Sequence, residues 1–107
     1  METSTVIGAL AALAQESRLA VFRLLVQAGP EGLAASKIAA ALAIAPSSLS
    51  FHLKELAHAN MVHATRSGRS IIYTANYPAM NGLLAYLTEN CCGGAPCAPV
   101  CTPKETP

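Results

Sequence analysis

The stretch at 45–59, APSSLSFHLKELAHA, limits what the chain can fold into more than any other. Leu49, Leu53 and Leu56 recur at the i, i+4, i+7 spacing of a helix buried along one stripe, while Ser47, Phe51, Lys54, Glu55 and His58 turn to the opposite side. A solvated helix face usually carries Glu–Lys pairs. This one offers hydroxyls and a lysine, with His52 on its flank, and such a face suits the polar edges of a partner.

The neighbouring residues give that helix a setting. A short helix from about Ser36 to Leu42 precedes it, with Ile38 and Leu42 four apart, and only Ala43, Ile44 and Ala45 lie between. Two helices joined by so short a turn, the second with a polar outer face, form the helix-turn-helix pattern. Glycine is frequent in that turn, and an alanine held at φ > 0 in its place costs about 1 kcal/mol. Pro46 suits a first helical turn, with Ser47 or Ser48 expected to cap exposed N–H groups. After Asn60 the period changes: Val62, Ala64, Arg66, then Ser67-Gly68, then Arg69, Ile71, Ile72, Tyr73 and Thr74. This pattern predicts a β-hairpin about a Ser-Gly turn with arginine on either side of the tip, placed as a wing. Arg66 and Arg69 fit phosphate or minor-groove contacts, which fix register while a helix reads bases.

Upstream, Val6, Ile7, Leu10 and Leu13 predict a first helix with one apolar stripe. A second helix starts at Glu16 or Ser17 and runs to Ala28, burying Leu19, Phe22, Leu25 and Val26, before Gly29-Pro30 stops it and 31–33 forms a loop. Downstream, Pro78 opens a last helix to about Asn90, with Met80, Leu83, Leu84 and Leu87 as its stripe. The expected fold is mainly α with a small β-hairpin: a winged helix-turn-helix in the order α-α-α-α-β-β-α. A small domain has difficulty covering the apolar faces of both terminal helices, so a homodimer through the first and last helices is expected. That dimer would offer two recognition helices to half-sites about 34–36 Å apart on double-stranded DNA. Residues 1–90 form this DNA-binding and dimerisation domain. From residue 91 the sequence CCGGAPCAPVCTPKETP loses all periodicity and is expected to be a flexible tail.

Seven Lys plus Arg against six Asp plus Glu leave the chain almost neutral, which by itself disfavours nucleic acid. The distribution says otherwise: 37–76 holds four basic residues, Lys37, Lys54, Arg66 and Arg69, and one acid, Glu55, together with all three histidines. The apolar run at 6–14 is preceded by Glu2 and by no Lys or Arg, unlike an export signal, and no run approaches the ~18 apolar residues of a membrane span. A cytoplasmic location is expected, and there four cysteines within eleven residues favour thiol or metal chemistry over a disulfide framework.

Those cysteines are Cys91, Cys92, Cys97 and Cys101. Adjacent residues hold their Cα atoms about 3.8 Å apart, short of the roughly 4.4–6.8 Å of a relaxed disulfide, so Cys91 and Cys92 suit one soft ion better than one another. The spacing C-C-x4-C-x3-C matches structural zinc knuckles poorly. A three-thiolate centre for As(III) or Sb(III) fits better, built from Cys91, Cys92 and either Cys97, the nearer, or Cys101. Thiol reductases want an activated thiolate at a helix N-terminus, whereas these cysteines follow a C-terminal end, and neither a phosphate-binding Gly-rich loop nor a carboxylate pair is present. No enzymatic activity is expected. A thiol enzyme or a metal-buffering module remains the alternative of another class.

With RLAVFRLL, LSFHLKEL, the following AHANMV and the wing RSGRSIIY in place, the chain resembles the ArsR/SmtB family of metal-responsive winged-helix repressors from about Ser17 to Asn90. The resemblance implies a dimeric repressor that binds operator DNA when apo and releases it with inducer. Ala34, Ala35 and Ser36 stand where some arsenic sensors of that family carry cysteines, and the last helix lacks the Asp, His and Glu set of its zinc sensors. AYLTENCC with a later cysteine looks like the arsenite repressors whose sensing thiols lie at the C-terminal end. The same fold sensing Cd, Hg, Bi or thiol oxidation is the alternative. The expected DNA-contacting residues are Ser47, Ser48, Ser50, His52, Lys54, Arg66 and Arg69. Ala45-Pro46 and Phe51 depart from the family pattern at the start and on the outer face of the recognition helix.

Overall fold

A computed structural model describes residues 1–94. Helices α1 (Thr3–Leu13), α2 (Glu16–Ala28), α3 (Ala35–Leu42) and α4 (Pro46–His58) are followed by strands β2 (Val62–Ser67) and β3 (Ser70–Ala75) and by α5 (Tyr77–Thr88). A two-residue strand β1 (Leu33–Ala34) precedes α3 and pairs antiparallel with β3, Leu33 opposite Tyr73 and Ala34 opposite Ile72. The sheet therefore has three strands in the order β1-β3-β2, where the sequence pattern indicated a hairpin alone. Two residues carry no periodicity, so β1 has no signature of its own. Gly32 makes its approach possible: at φ 70° it lies against β3 so closely that a Cβ there would meet the Tyr73 carbonyl oxygen and come within 2.6 Å of Thr74 Cγ2.

The core gathers around α4. Leu49, Leu53 and Leu56 are buried, as their spacing predicts, among Val21, Phe22 and Leu25 of α2, Ile38 of α3, and Met61, Val62, Ala75 and Leu83. A residue at positive φ turns the chain out of α4. At the end of α4, Asn60 takes φ 64°, the Met61 N–H donates to Leu56 O and the Asn60 N–H to Ala57 O, the pairing of a Schellman ending. Met61 is thereby carried into the core, fully buried. Asn76, the one buried polar residue among those described, joins the hairpin to α5: its Nδ2 donates to Asn60 O at 2.8 Å and its Oδ1 accepts from the Ala79 N–H as the α5 cap. Tyr77 then donates its hydroxyl to the Leu25 and Val26 carbonyls at the end of α2.

The terminal helices pack differently from their expected stripes. On α1 the buried residues are Val6, Ala9 and Ala12, with Leu13 half-buried, whereas Ile7 and Leu10 are 58% and 38% exposed. Alanine at 9 and 12 lets α1 approach its neighbours closely, and that turns the larger residues outward. On α2 the inward side is Val21, Phe22 and Leu25, and Leu19, off the flank of that stripe, is exposed. On α5 only Leu83 of the expected stripe is buried, Met80 is half-buried, and Leu84 and Leu87 are 53% and 56% exposed. The helix ends at Thr88 rather than near Asn90, and a short 3-10 turn (Cys91–Gly94), with Cys92 at φ 58°, follows where a tail without structure was expected. Cys97, Cys101 and the rest of that tail lie outside the described residues.

Candidate nucleic-acid interface

The turn between α3 and α4 has the geometry its sequence foreshadowed. Ala43 sits at φ 55°, ψ 44°, the left-handed region, with its N–H donating to Ala39 O and the Ile44 N–H donating to the same carbonyl at 3.1 Å. An L-residue in this region carries a steric cost of about 1–2 kcal/mol that glycine avoids. Pro46 stands in the first turn of α4 and Ala45 is the residue before it, with no side-chain cap. Neither Ser47 nor Ser48 caps the helix. Both lie inside the first turn, after the capping position that alanine occupies, and both are exposed.

That failure as caps leaves the two hydroxyls on the outer surface. Ser47, Ser48, Ser50, Phe51, Lys54 and His58 are all exposed along α4, while Glu55 is half-buried. His52 faces another way. It is half-buried, and Arg18 Nη1 of α2 lies 3.5 Å from its Nδ1, while Arg18 Nε donates to the Ala12 carbonyl at 2.6 Å. A guanidinium only donates, so the contact requires the tautomer with Nδ1 unprotonated. His52 thus links α4 to the α1–α2 corner, and Arg18, which spacing did not single out, holds that link. The sequence offered no signal for the pair, because 34 residues separate them.

The hairpin projects beyond this helix. Ser67 pairs with Ser70, so its turn is Gly68-Arg69, not Ser67-Gly68, with Gly68 at φ 64° in the first turn position as in a type II′ turn. Arg69 is therefore at the tip itself and Arg66 on β2 opposite Ile71, and every residue from His63 to Ser70 is exposed. α4 packs against β2, which fixes the wing relative to the helix. Of the expected DNA-contacting residues, Ser47, Ser48, Ser50, Lys54, Arg66 and Arg69 are exposed on these two elements, and His52 is drawn inward.

Cys91 and Cys92 are exposed just past α5. Among the described residues no cluster of three His, Cys, Asp or Glu side chains is placed to hold an ion, so a three-sulfur centre needs Cys97 or Cys101 in addition. No single helix among the described residues is long and apolar enough to cross a membrane.

Residues 13–64 match the family model of a helix-turn-helix domain. Among solved structures, an ArsR-like transcriptional regulator from Rhodococcus sp. RHA1 is 26% identical, with a TM-score of 0.70 over 78% of this chain and 76% of its own. A possible transcriptional regulator for arsenical resistance is 25% identical, with a TM-score of 0.63 over 74% of this chain and 79% of its own. The homodimeric winged helix-turn-helix DNA-binding domain of a possible ArsR-family regulator from Mycobacterium bovis shares the fold at 24% identity, TM-score 0.65, over 90% of this chain and 89% of its own. No curated protein matches the chain. Fold and exposed surface together define a winged helix-turn-helix domain. Within that class the chain is similar to ArsR-like transcriptional regulators.

Proposed function

We propose that the chain is a homodimeric repressor that holds operator DNA through α4 and the wing and releases it when As(III) or Sb(III) is bound by cysteine thiolates. The observation that carries the DNA part is the exposed hydroxyl and lysine face of α4, set directly before a hairpin with Arg69 at its tip. In this arrangement Ser47, Ser48, Ser50 and Lys54 meet base edges and phosphates in the major groove, and Arg66 and Arg69 meet backbone beside it. His52 acts here by steadying α4 through Arg18 and not by touching a base.

Dimerisation is supported by the exposed apolar residues Ile7 and Leu10 of α1 and Leu84 and Leu87 of α5, which one copy of the chain leaves uncovered, and by the homodimeric state of the M. bovis domain. Cys91 and Cys92 follow the C-terminal end of α5, so an ion held by them and by Cys97 or Cys101 would act at the edge of that dimer face. Thiolate donors suit As(III) and Sb(III), which take three sulfurs. Release then follows from a difference in ion affinity between the two dimer arrangements, since a ligand that binds both equally shifts neither.

A mobility shift tests the reading. Duplex selected from a random pool by the wild-type chain should be bound without arsenite and freed by it. A Cys91→Ser, Cys92→Ser variant should bind the same duplex and stay bound. Arsenite release persisting in that variant would remove the thiols from the mechanism, and equal release by single Cys97→Ser and Cys101→Ser variants would show that either completes the set.

A further inference from the structure

We propose that Phe51 is a sequence-reading residue, packing its ring against the 5-methyl group of a thymine in the major groove. The proposal rests on the DNA-binding reading above and names one base feature that the surface selects. Phe51 lies two residues from each of the buried Leu49 and Leu53, so helical geometry sets it opposite the core stripe, at the centre of the outward face. Ser47 and Ser48 stand one turn before it and Lys54 one turn after, all exposed. The ring is 55% exposed, although a large aromatic gains nothing from water. The other large exposed apolar residues lie at the N-terminus or on α1, α2 and α5, so Phe51 is the single large apolar group on the polar face of α4 among the described residues.

The ring also has an aromatic neighbour. Its centroid is 5.8 Å from that of His52 at an interplanar angle of 60°, an edge contact, and His52 is itself beside the Arg18 guanidinium. Chemistry then narrows the choice of partner. Phenylalanine neither donates nor accepts a hydrogen bond, so it cannot read the polar edges of guanine, adenine or cytosine. Thymine alone presents a methyl group in the major groove, and apolar side chains meet it there.

The test uses duplexes selected from a random pool by the wild-type full-length chain, with each thymine of the selected site replaced in turn by deoxyuridine, which removes only the methyl. Burying one methyl corresponds to about fourfold in affinity. The proposal expects at least one thymine in each half-site whose replacement weakens wild-type binding by about that factor. Phe51→Ala should bind the unmodified site more weakly and show no further loss at that thymine, while Phe51→Leu keeps part of the sensitivity. Both variants should melt with the wild type, since the side chain is outside the core. A selected site at which no thymine methyl matters, or a deoxyuridine penalty undiminished in Phe51→Ala, overturns the proposal and leaves DNA binding by α4 standing. Loss of self-association in Phe51→Ala with unchanged DNA affinity assigns the ring to a protein contact and overturns it as well. Failure to select any duplex overturns the parent reading with it.

Discussion

Ala43 shows how a single residue can work against its own position. Its φ of 55° and the two N–H donors converging on Ala39 O are the marks of a helix ending that glycine usually occupies. Ala43→Gly removes the Cβ strain and returns part of the gain as chain entropy in the unfolded state. A net stabilisation of about 0.5–1 kcal/mol is expected, read as a rise of the urea midpoint at unchanged slope. A fall in the midpoint would mean that the alanine methyl makes a contact worth more than the strain. Gly32 is the reverse case. There an alanine meets the Tyr73 carbonyl and the Thr74 methyl while holding φ 70°, so Gly32→Ala should cost about 2–4 kcal/mol, from strain and overpacking together. A loss below about 1 kcal/mol in the same titration would show that β1 moves away from β3 at little cost.

At the scale of elements, the proposed binding divides its labour between the wing and the helix it follows. Arg66 and Arg69 are exposed on a hairpin that packs on α4, and neither reaches a base in the proposed arrangement. Arg66→Ala and Arg69→Ala should each weaken binding to selected and unrelated duplexes alike and lower the salt slope by about 1 for each phosphate no longer neutralised. A loss confined to the selected sequence would place them at bases instead. Most of these elements were legible in the sequence because each has a period or a punctuation mark: the Leu49, Leu53, Leu56 stripe, Pro46 at the start of α4, and the β-branched run after Gly68. What stayed hidden depended on partners distant in the chain. β1 is two residues that become a strand only against β3, and Asn76 is buried because Asn60, 16 residues away, offers it a carbonyl. The inner face of α1 differs from its expected stripe for a related reason: residue size suggests Ile7 and Leu10, but close helix packing selects Ala9 and Ala12. In the candidate site, exposure of Ser47, Phe51 and Lys54 followed from helical period, whereas the inward turn of His52 required Arg18 from α2.

At the scale of the whole molecule, the proposed homodimer accounts for four exposed apolar residues. Ile7, Leu10, Leu84 and Leu87 are too exposed to contribute to the core described, and a stripe of leucines facing water is unfavourable unless covered. Leu84→Glu with Leu87→Glu should therefore leave the core intact and shift the chain to monomer in sedimentation, with weaker operator binding because two half-sites are no longer engaged together. A dimer undiminished by both changes would move the interface elsewhere. Everything proposed for DNA rests on α4 and the wing as the binding surface, and fluorescence anisotropy of a selected duplex tests that surface. Two chains should bind each duplex, with affinity falling steeply as salt rises and reduced at least tenfold in a folded Ser50→Ala, Lys54→Ala, Arg69→Ala variant. Undiminished binding by that variant would contradict the assignment.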